Sequence, residues 1–110
     1  AHVNNPLGAF GLNGALHAAF NLAEKLAAVW RGEAEESLLD RYVRQRRGAN
    51  IEFVQAQSIR NKELLQERDP AVRATKLDAL RRTAADPALA KEHLIRSSMI
   101  WSVRYAQSLA

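Results

Sequence analysis

Residues 1–30 read AHVNNPLGAFGLNGALHAAFNLAEKLAAVW, and their character changes within a few positions. The first fourteen residues contain Pro6, three glycines and three asparagines, a composition typical of a loop. From about Leu12 onward, apolar residues recur at spacings of three and four, which predicts one face of an α-helix that Gly32 ends. The apolar positions are Leu16, Phe20, Ala23, Leu26 or Ala27, and Trp30. The sequence therefore predicts a glycine-rich loop that leads into a long helix.

The remaining chain predicts three further helices. The second begins at Ser37 as N-cap and runs to about Glu67, with a kink or break between Arg47 and Asn50 because Gly48 interrupts it. Asp69-Pro70 and Asp86-Pro87 each place a capping acid before a proline at the first helical position, which predicts helices over about 70–84 and 87–108. Because no window alternates with a period of two, we expect an all-α fold, a glycine-rich loop followed by about four helices.

Composition excludes several classes of function. A chain of 110 residues allows about one small domain, and the absence of cysteine excludes disulfides, thiolate catalysis and thiolate metal sites and favours a cytoplasmic location. His2, His17 and His93 lie far apart without a metal-binding spacing, so we predict no catalytic residue and no metal site. The longest uncharged stretch, residues 3–23, is too rich in glycine and asparagine to span a membrane.

The net charge of +4 leaves nucleic-acid binding open as a minor alternative. Arg41, Arg44 and Arg47 fall on one arc of the predicted second helix and could follow phosphates. Acidic residues are interleaved with basic ones throughout, which favours solvated helix faces instead. A small basic nucleic-acid binder therefore stays the less favoured alternative.

The loop that enters the first helix is the local feature with a chemical mechanism. A helix N-terminus presents unpaired N–H groups and the positive end of its dipole, and glycines let a flat or charged ligand approach the backbone. The glycines at positions 8, 11 and 14 do not follow the spacing of the dinucleotide motif GxGxxG. This loop is suited to an anion or a polarised ring.

At these residues the chain resembles the FAD-dependent aromatic hydroxylases, the flavin monooxygenases similar to phenol and p-hydroxybenzoate hydroxylases. The run from Ala1 to Asn13, continuing to Asn21-Leu22-Ala23-Glu24-Lys25-Leu26, is similar to their second FAD-binding motif, GDAAH, three positions to Pro, G-G-x-G-x-N and then DAxNLAxKL. Leu38-Leu39-Asp40, Tyr42 and Gln45-Arg46 resemble the LLxxYxxxR that follows. The resemblance covers residues 1–47.

This resemblance implies roles for individual residues. The loop with Pro6 and Gly8 would run beside the isoalloxazine ring, and Gly11 would keep the approach to the backbone open. The N–H groups of Leu12 and Asn13 would meet the flavin O2 and N1. The implied cofactor is FAD, with NAD(P)H as co-substrate, and the implied activity is hydroxylation of a phenol-like aromatic substrate with O2.

The chain also departs from the family pattern. Ala9 replaces the second glycine, Ala18 stands at the usual aspartate, and neither the Gly-Asp of the motif nor the N-terminal GxGxxG is in the sequence. The single methionine is Met99, so we expect a segment to precede Ala1. We therefore expect a C-terminal piece of a larger α/β FAD-binding protein, inactive by itself, in which residues 1–47 end the FAD-binding domain and residues 48–110 form a helical tail.

A second hypothesis treats the chain as a helical structural or interaction module. If the first helix is built to pack on a domain outside this sequence, its apolar face is left without that partner. That face carries Leu16, Phe20, Leu22, Leu26 and Trp30. An exposed apolar face favours self-association, so this hypothesis predicts a homo-oligomer.

Overall fold

The computed structural model of the chain describes residues 2–110. Within them the chain forms six α-helices and one π-helical segment, with no strand, which confirms the all-α prediction. The elements are α1 (Phe10–Trp30), α2 (Leu38–Ala49), a π-helical segment (Asn50–Gln55), α3 (Ala56–Gln66), α4 (Pro70–Ala85), α5 (Pro87–Ser97) and α6 (Ile100–Ser108). The loop prediction holds up to residue 9.

Helix α1 begins at Phe10, two residues before the predicted start near Leu12. Gly8 and Ala9 have φ values of 97° and 58°, and the Ala9 N–H donates to the Pro6 carbonyl at 3.1 Å. Because the helix begins directly after this left-handed turn, the glycines at positions 11 and 14 lie inside the helix and not in the loop. The spacing of apolar residues does not report the backbone conformation of a turn, so it could not predict that the helix begins two residues earlier.

The end of α1 follows the prediction. Gly32 has a φ of 72°, its N–H donates to the Val29 carbonyl, and the Glu33 N–H donates to the Ala28 carbonyl at 2.9 Å. These two hydrogen bonds form the Schellman arrangement that a glycine after the last helical residue favours.

The predicted second helix is corrected at both its start and its interruption. Ser37 has helical backbone angles and makes no side-chain capping hydrogen bond. The helix passes through Gly48 unbroken, and the irregularity lies after it, in the π-helical segment Asn50–Gln55. Gly48 has a packing role instead, because a Cβ there would lie 2.9 Å from Leu109 Cδ1 at the end of α6. The side chain that follows α6 therefore lies against α2 at this glycine.

The two Asp-Pro starts are confirmed. Asp69 Oδ1 accepts the Ala71 N–H at 2.8 Å, and Asp86 Oδ1 accepts the Ala88 N–H at 2.8 Å. The predicted last helix over 87–108 is wrong as a single helix, because Met99 has a φ of 64° and separates α5 from α6. This turn buries the Met99 side chain and redirects the chain so that α6 packs against α2.

The core is small and lies where α1, the π-helical segment and α6 meet. Phe10, Val54 and Met99 form the buried apolar cluster. Beside it, Phe53 packs against Trp101 and Tyr105, with ring centroids 4.7 and 5.2 Å apart. Helices α4 and α5 contribute no buried residue, and the molecule measures 59 × 28 × 19 Å. The compact part of the fold is therefore the part that carries the glycine-rich loop.

None of the helices in residues 2–110 combines the length and apolar character needed to cross a bilayer.

Candidate functional site

The glycine-rich loop and the first turn of α1 form an exposed helix N-terminus. Pro6 and Gly8 are exposed in the loop, and Gly11, Leu12 and Asn13 lie in the first turn of the helix. No side chain caps this end and no acidic residue lies in its first turn. The positive end of the α1 dipole is therefore left free for a ligand.

The early start of α1 decides which N–H groups are free. In an α-helix the first N–H groups have no intrahelical acceptor, so those of Phe10, Gly11 and Leu12 remain unpaired. Leu12, one of the two donors that the resemblance implied, lies among them, and Asn13, the other, follows it directly in the helix.

Gly8 is the most constrained of the predicted site residues. A Cβ at this position would collide with the Phe10 ring, including Cδ2 at 2.9 Å, and would lie 2.8 Å from Asn61 Nδ2. Gly11 is the opposite case, since a Cβ there meets nothing within 4 Å. The loop thus requires glycine at position 8 for its own fold, whereas glycine at position 11 leaves open space at the helix start.

The structure shows a polar network between α1 and α2 that spacing alone did not predict. Lys25 is buried and its Nζ donates to Asn21 Oδ1 at 2.9 Å. Asn21 Nδ2 donates to Gln45 Oε1 at 3.0 Å, and Gln45 Nε2 donates to the Leu109 carbonyl at 2.8 Å. Burial lowers the pKa of Lys25. The network joins the first helix, the second helix and the C-terminal residues.

The arginine arc of the nucleic-acid alternative is partly used inside the fold. Arg44 Nε donates to the Ala110 carbonyl at 2.9 Å, and Arg41 Nε approaches the Leu109 carbonyl at 3.4 Å. Arg46, two residues after Arg44, is buried. These contacts favour a structural role for the arginines over phosphate binding.

Histidines contribute no metal site. Burial, and then the charge of Arg46, lower the pKa of His17, and the pKa of His2 is lowered mainly by burial. In residues 2–110 no three side chains of histidine, cysteine, aspartate or glutamate are grouped so that they could hold a metal ion.

The apolar face predicted for α1 points away from the core. Leu12, Phe20 and Trp30 are 73%, 77% and 89% exposed, and Leu16 and Leu26 are about half exposed. We call these five residues the outer stripe of α1. The buried side of the helix carries Phe10, Ala18 and Lys25 instead. Of the alanines at positions 15, 18 and 19, Ala18 is buried, and Ala15 and Ala19 are exposed.

A left-handed glycine turn that opens onto an uncapped helix N-terminus is a geometry of proteins that hold the anionic part of a cofactor or substrate. Comparison with known families identifies the family within this class. The chain belongs to the FAD binding domain family, whose profile matches residues 1–57. The resemblance predicted from residues 1–47 is confirmed.

Several curated relatives carry the same region. The chain is 34% identical over 95 residues to para-nitrophenol 4-monooxygenase of Pseudomonas sp. (strain WBC-3), a match that covers 86% of this chain and 24% of the relative. It is 56% identical over 46 residues to tetracenomycin A2 monooxygenase-dioxygenase of Streptomyces glaucescens, covering 42% of this chain and 8% of the relative. It is 50% identical over 42 residues to pentachlorophenol 4-monooxygenase of Sphingobium chlorophenolicum, covering 38% and 8%.

The chain thus spans between 8% and 24% of the length of these three relatives. No solved structure gives a significant match.

Proposed function

We propose that this chain is the flavin-edge part of an FAD-dependent monooxygenase that hydroxylates a phenol-like aromatic substrate with NAD(P)H and O2. The observation that carries the proposal is the uncapped N-terminus of α1 within the residues that match the FAD binding domain family. Relatives named as monooxygenases of nitrophenol and pentachlorophenol support the substrate class. We also propose a cytoplasmic location, supported by the absence of cysteine.

In this proposal residues 1–47 contribute the flavin-binding loop and helices, and residues 48–110 form a tail behind them. The free N–H groups of the first turn of α1, that of Leu12 among them, would hold the pyrimidine edge of the flavin. FAD supplies the transfer of electrons from the nicotinamide to O2 and of one oxygen atom to the ring. When FAD is bound, these N–H groups and the α1 dipole would stabilise negative charge on the flavin O2 and N1.

The residues present fit FAD as one wall of its site. Among residues 2–110 no side chain caps the α1 N-terminus, and Gly11 leaves room beside it. A binding site normally covers most of a ligand's surface, and one loop and one helix end do not. We therefore propose that the 110-residue chain by itself is inactive and binds FAD with a dissociation constant no better than about 1 mM.

A flavin titration tests the proposal in two parts. With the isolated chain, fluorescence of added FAD is expected to change only at millimolar protein, and a micromolar dissociation constant would show that the site is already complete. In a longer protein that contains this chain, purified FAD content and phenol-dependent NAD(P)H oxidation are the readouts.

Gly11→Val is the informative variant, since its branched side chain enters the space beside the free N–H groups while meeting no protein atom at Cβ. We expect it to abolish FAD binding in the longer protein. His17→Ala, a full turn beyond Asn13 along α1, is the matched control and is expected to keep FAD. Loss of FAD in both variants, or in neither, contradicts the proposed site.

We propose self-association through the outer stripe of α1 as a second function of the isolated chain. The observation behind it is the exposure of Phe20 and Trp30, large apolar side chains that soluble monomers seldom group on one helix face. Phe20→Glu is expected to convert a dimer or larger oligomer to a monomer in light scattering. Leu65→Glu, at a 69% exposed leucine of α3, is the control that leaves the mass unchanged. A monomeric wild-type chain would refute this function.

A further inference from the structure

A cavity of about 270 Å³ lies between α1 and α2, behind the first turn of α1. Its walls are mostly apolar, and they include Phe10, Leu22, Val54 and the small residues of α1. Exposed residues such as His2 and Ala15 lie among its lining, so the cavity opens to solvent. Of the five predicted flavin-site residues it contains Gly11 alone.

Arg46 brings a buried positive charge to this cavity. Its side chain is 4% exposed, and its Nη2 makes one long hydrogen bond, 3.4 Å, to the Gly14 carbonyl. The Nε is buried and has no partner among the described residues, and none of the ion pairs in residues 2–110 involves Arg46. Burying a guanidinium without a carboxylate is costly, because the charge loses its hydration without compensation.

Two side-chain amides in the lining of the same cavity also have a buried polar atom without a hydrogen-bond partner. Asn50 is 9% exposed and its Oδ1 is unpartnered, and Asn4 Nδ2 is also buried without a partner. Arg46 and Asn50 are four residues apart on one continuous helical run, so their side chains project from the same face. Three unpaired polar groups, two of them donors, therefore meet in one apolar cavity.

We infer that this cavity binds a small monocarboxylate with an apolar body, held by Arg46 and the Asn4 amide. A carboxylate supplies the two acceptor oxygens that the guanidinium fork and the amide N–H lack. The apolar walls suit a hydrocarbon body of about six carbons, since a cavity of about 150 Å³ already accommodates benzene. A phosphate does not suit these walls, because it needs donors on several sides. The inference does not rest on the flavin proposal.

Cyclohexanecarboxylate is the probe, titrated into the 110-residue chain by calorimetry at neutral pH, with cyclohexanecarboxamide as its neutral match. We expect the carboxylate to bind at least tenfold more tightly than the amide. Arg46→Gln is expected to weaken carboxylate binding at least tenfold. Arg47→Gln removes an exposed charge at the next position and is the control, expected to bind as the wild type does.

Asn50→Asp guards against the chance that Arg46→Gln unfolds the chain. A carboxylate four residues after Arg46 pairs with the guanidinium from within the helix. We expect this variant to keep its helical circular dichroism and to bind the carboxylate at least tenfold more weakly than the wild type. Absence of carboxylate binding to the wild type, equal affinity for the amide, or unchanged affinity in Asn50→Asp would each overturn the inference. The flavin titration is unaffected by any of these results, so the two proposals fail separately.

Discussion

Replacing Gly8 by alanine tests whether the left-handed turn before α1 holds the core in place. Gly8 has a φ of 97°, and a Cβ there would collide with the ring of Phe10, a member of the buried cluster, and lie 2.8 Å from Asn61 Nδ2. The substitution therefore combines an unfavourable backbone conformation with overpacking of the core.

The expected loss can be estimated from these two effects. An L-residue held in such a sparsely populated region costs about 1–3 kcal/mol, and forcing an extra carbon into a packed site costs about 1–3 kcal/mol. Reduced entropy of the unfolded chain returns about 0.4–1 kcal/mol. We expect Gly8→Ala to lower the free energy of unfolding by about 1–6 kcal/mol.

Urea unfolding followed by circular dichroism measures this change directly. Gly11→Ala is the matched control, because it adds the same methyl group where nothing lies within 4 Å and where the backbone is helical. The control is expected to be unchanged or more stable by up to about 1 kcal/mol. A Gly8→Ala variant as stable as the wild type would refute the reasoning, because it would mean that the turn and the Phe10 contact do not constrain this loop.

Three further predictions concern the rest of the chain. Asp86→Ala should lower the free energy of unfolding by about 1 kcal/mol, since Asp86 Oδ1 accepts the Ala88 N–H at 2.8 Å; an unchanged urea midpoint would contradict this capping role. Gly48→Ala should be neutral or stabilising by up to about 1 kcal/mol, because the atom nearest its Cβ is the flexible end of Leu109; a clear loss of stability would show that α6 cannot yield. The pKa of His17 is lowered from 6.5 in the folded chain, so the unfolded state binds protons more readily and stability should fall as the pH drops below 6.5. His17→Gln should reduce this dependence of the unfolding free energy on pH, measured by urea unfolding at several pH values on both sides of 6.5.

Local signals in the sequence predicted those features that depend on neighbouring residues. The Asp69 and Asp86 caps and the glycine at position 32 act within one helical turn, so each could be assigned without knowing the rest of the fold. The family motif of residues 1–47 likewise located the loop and helix of the candidate site, although not the exact residue at which the helix begins.

Features decided by contacts between distant residues required the tertiary structure. The apolar spacing of α1 identified a helix, but it could not tell which face is buried, because Lys25 becomes buried only where Asn21 and the neighbouring helix surround it. The turn at Met99 exists because that side chain enters a core supplied by Phe10 and Val54.

For Arg46, too, the sequence predicted the helix that carries it, whereas only the tertiary structure decided its surroundings. The family motif includes Arg46, and the apolar spacing places it on the predicted second helix. Only the packing of α1 against α2 removed it from water and set it beside two unpaired amides. Burial is a property of the assembled elements, because the area that one helix covers on another depends on crossing geometry, which no single segment encodes.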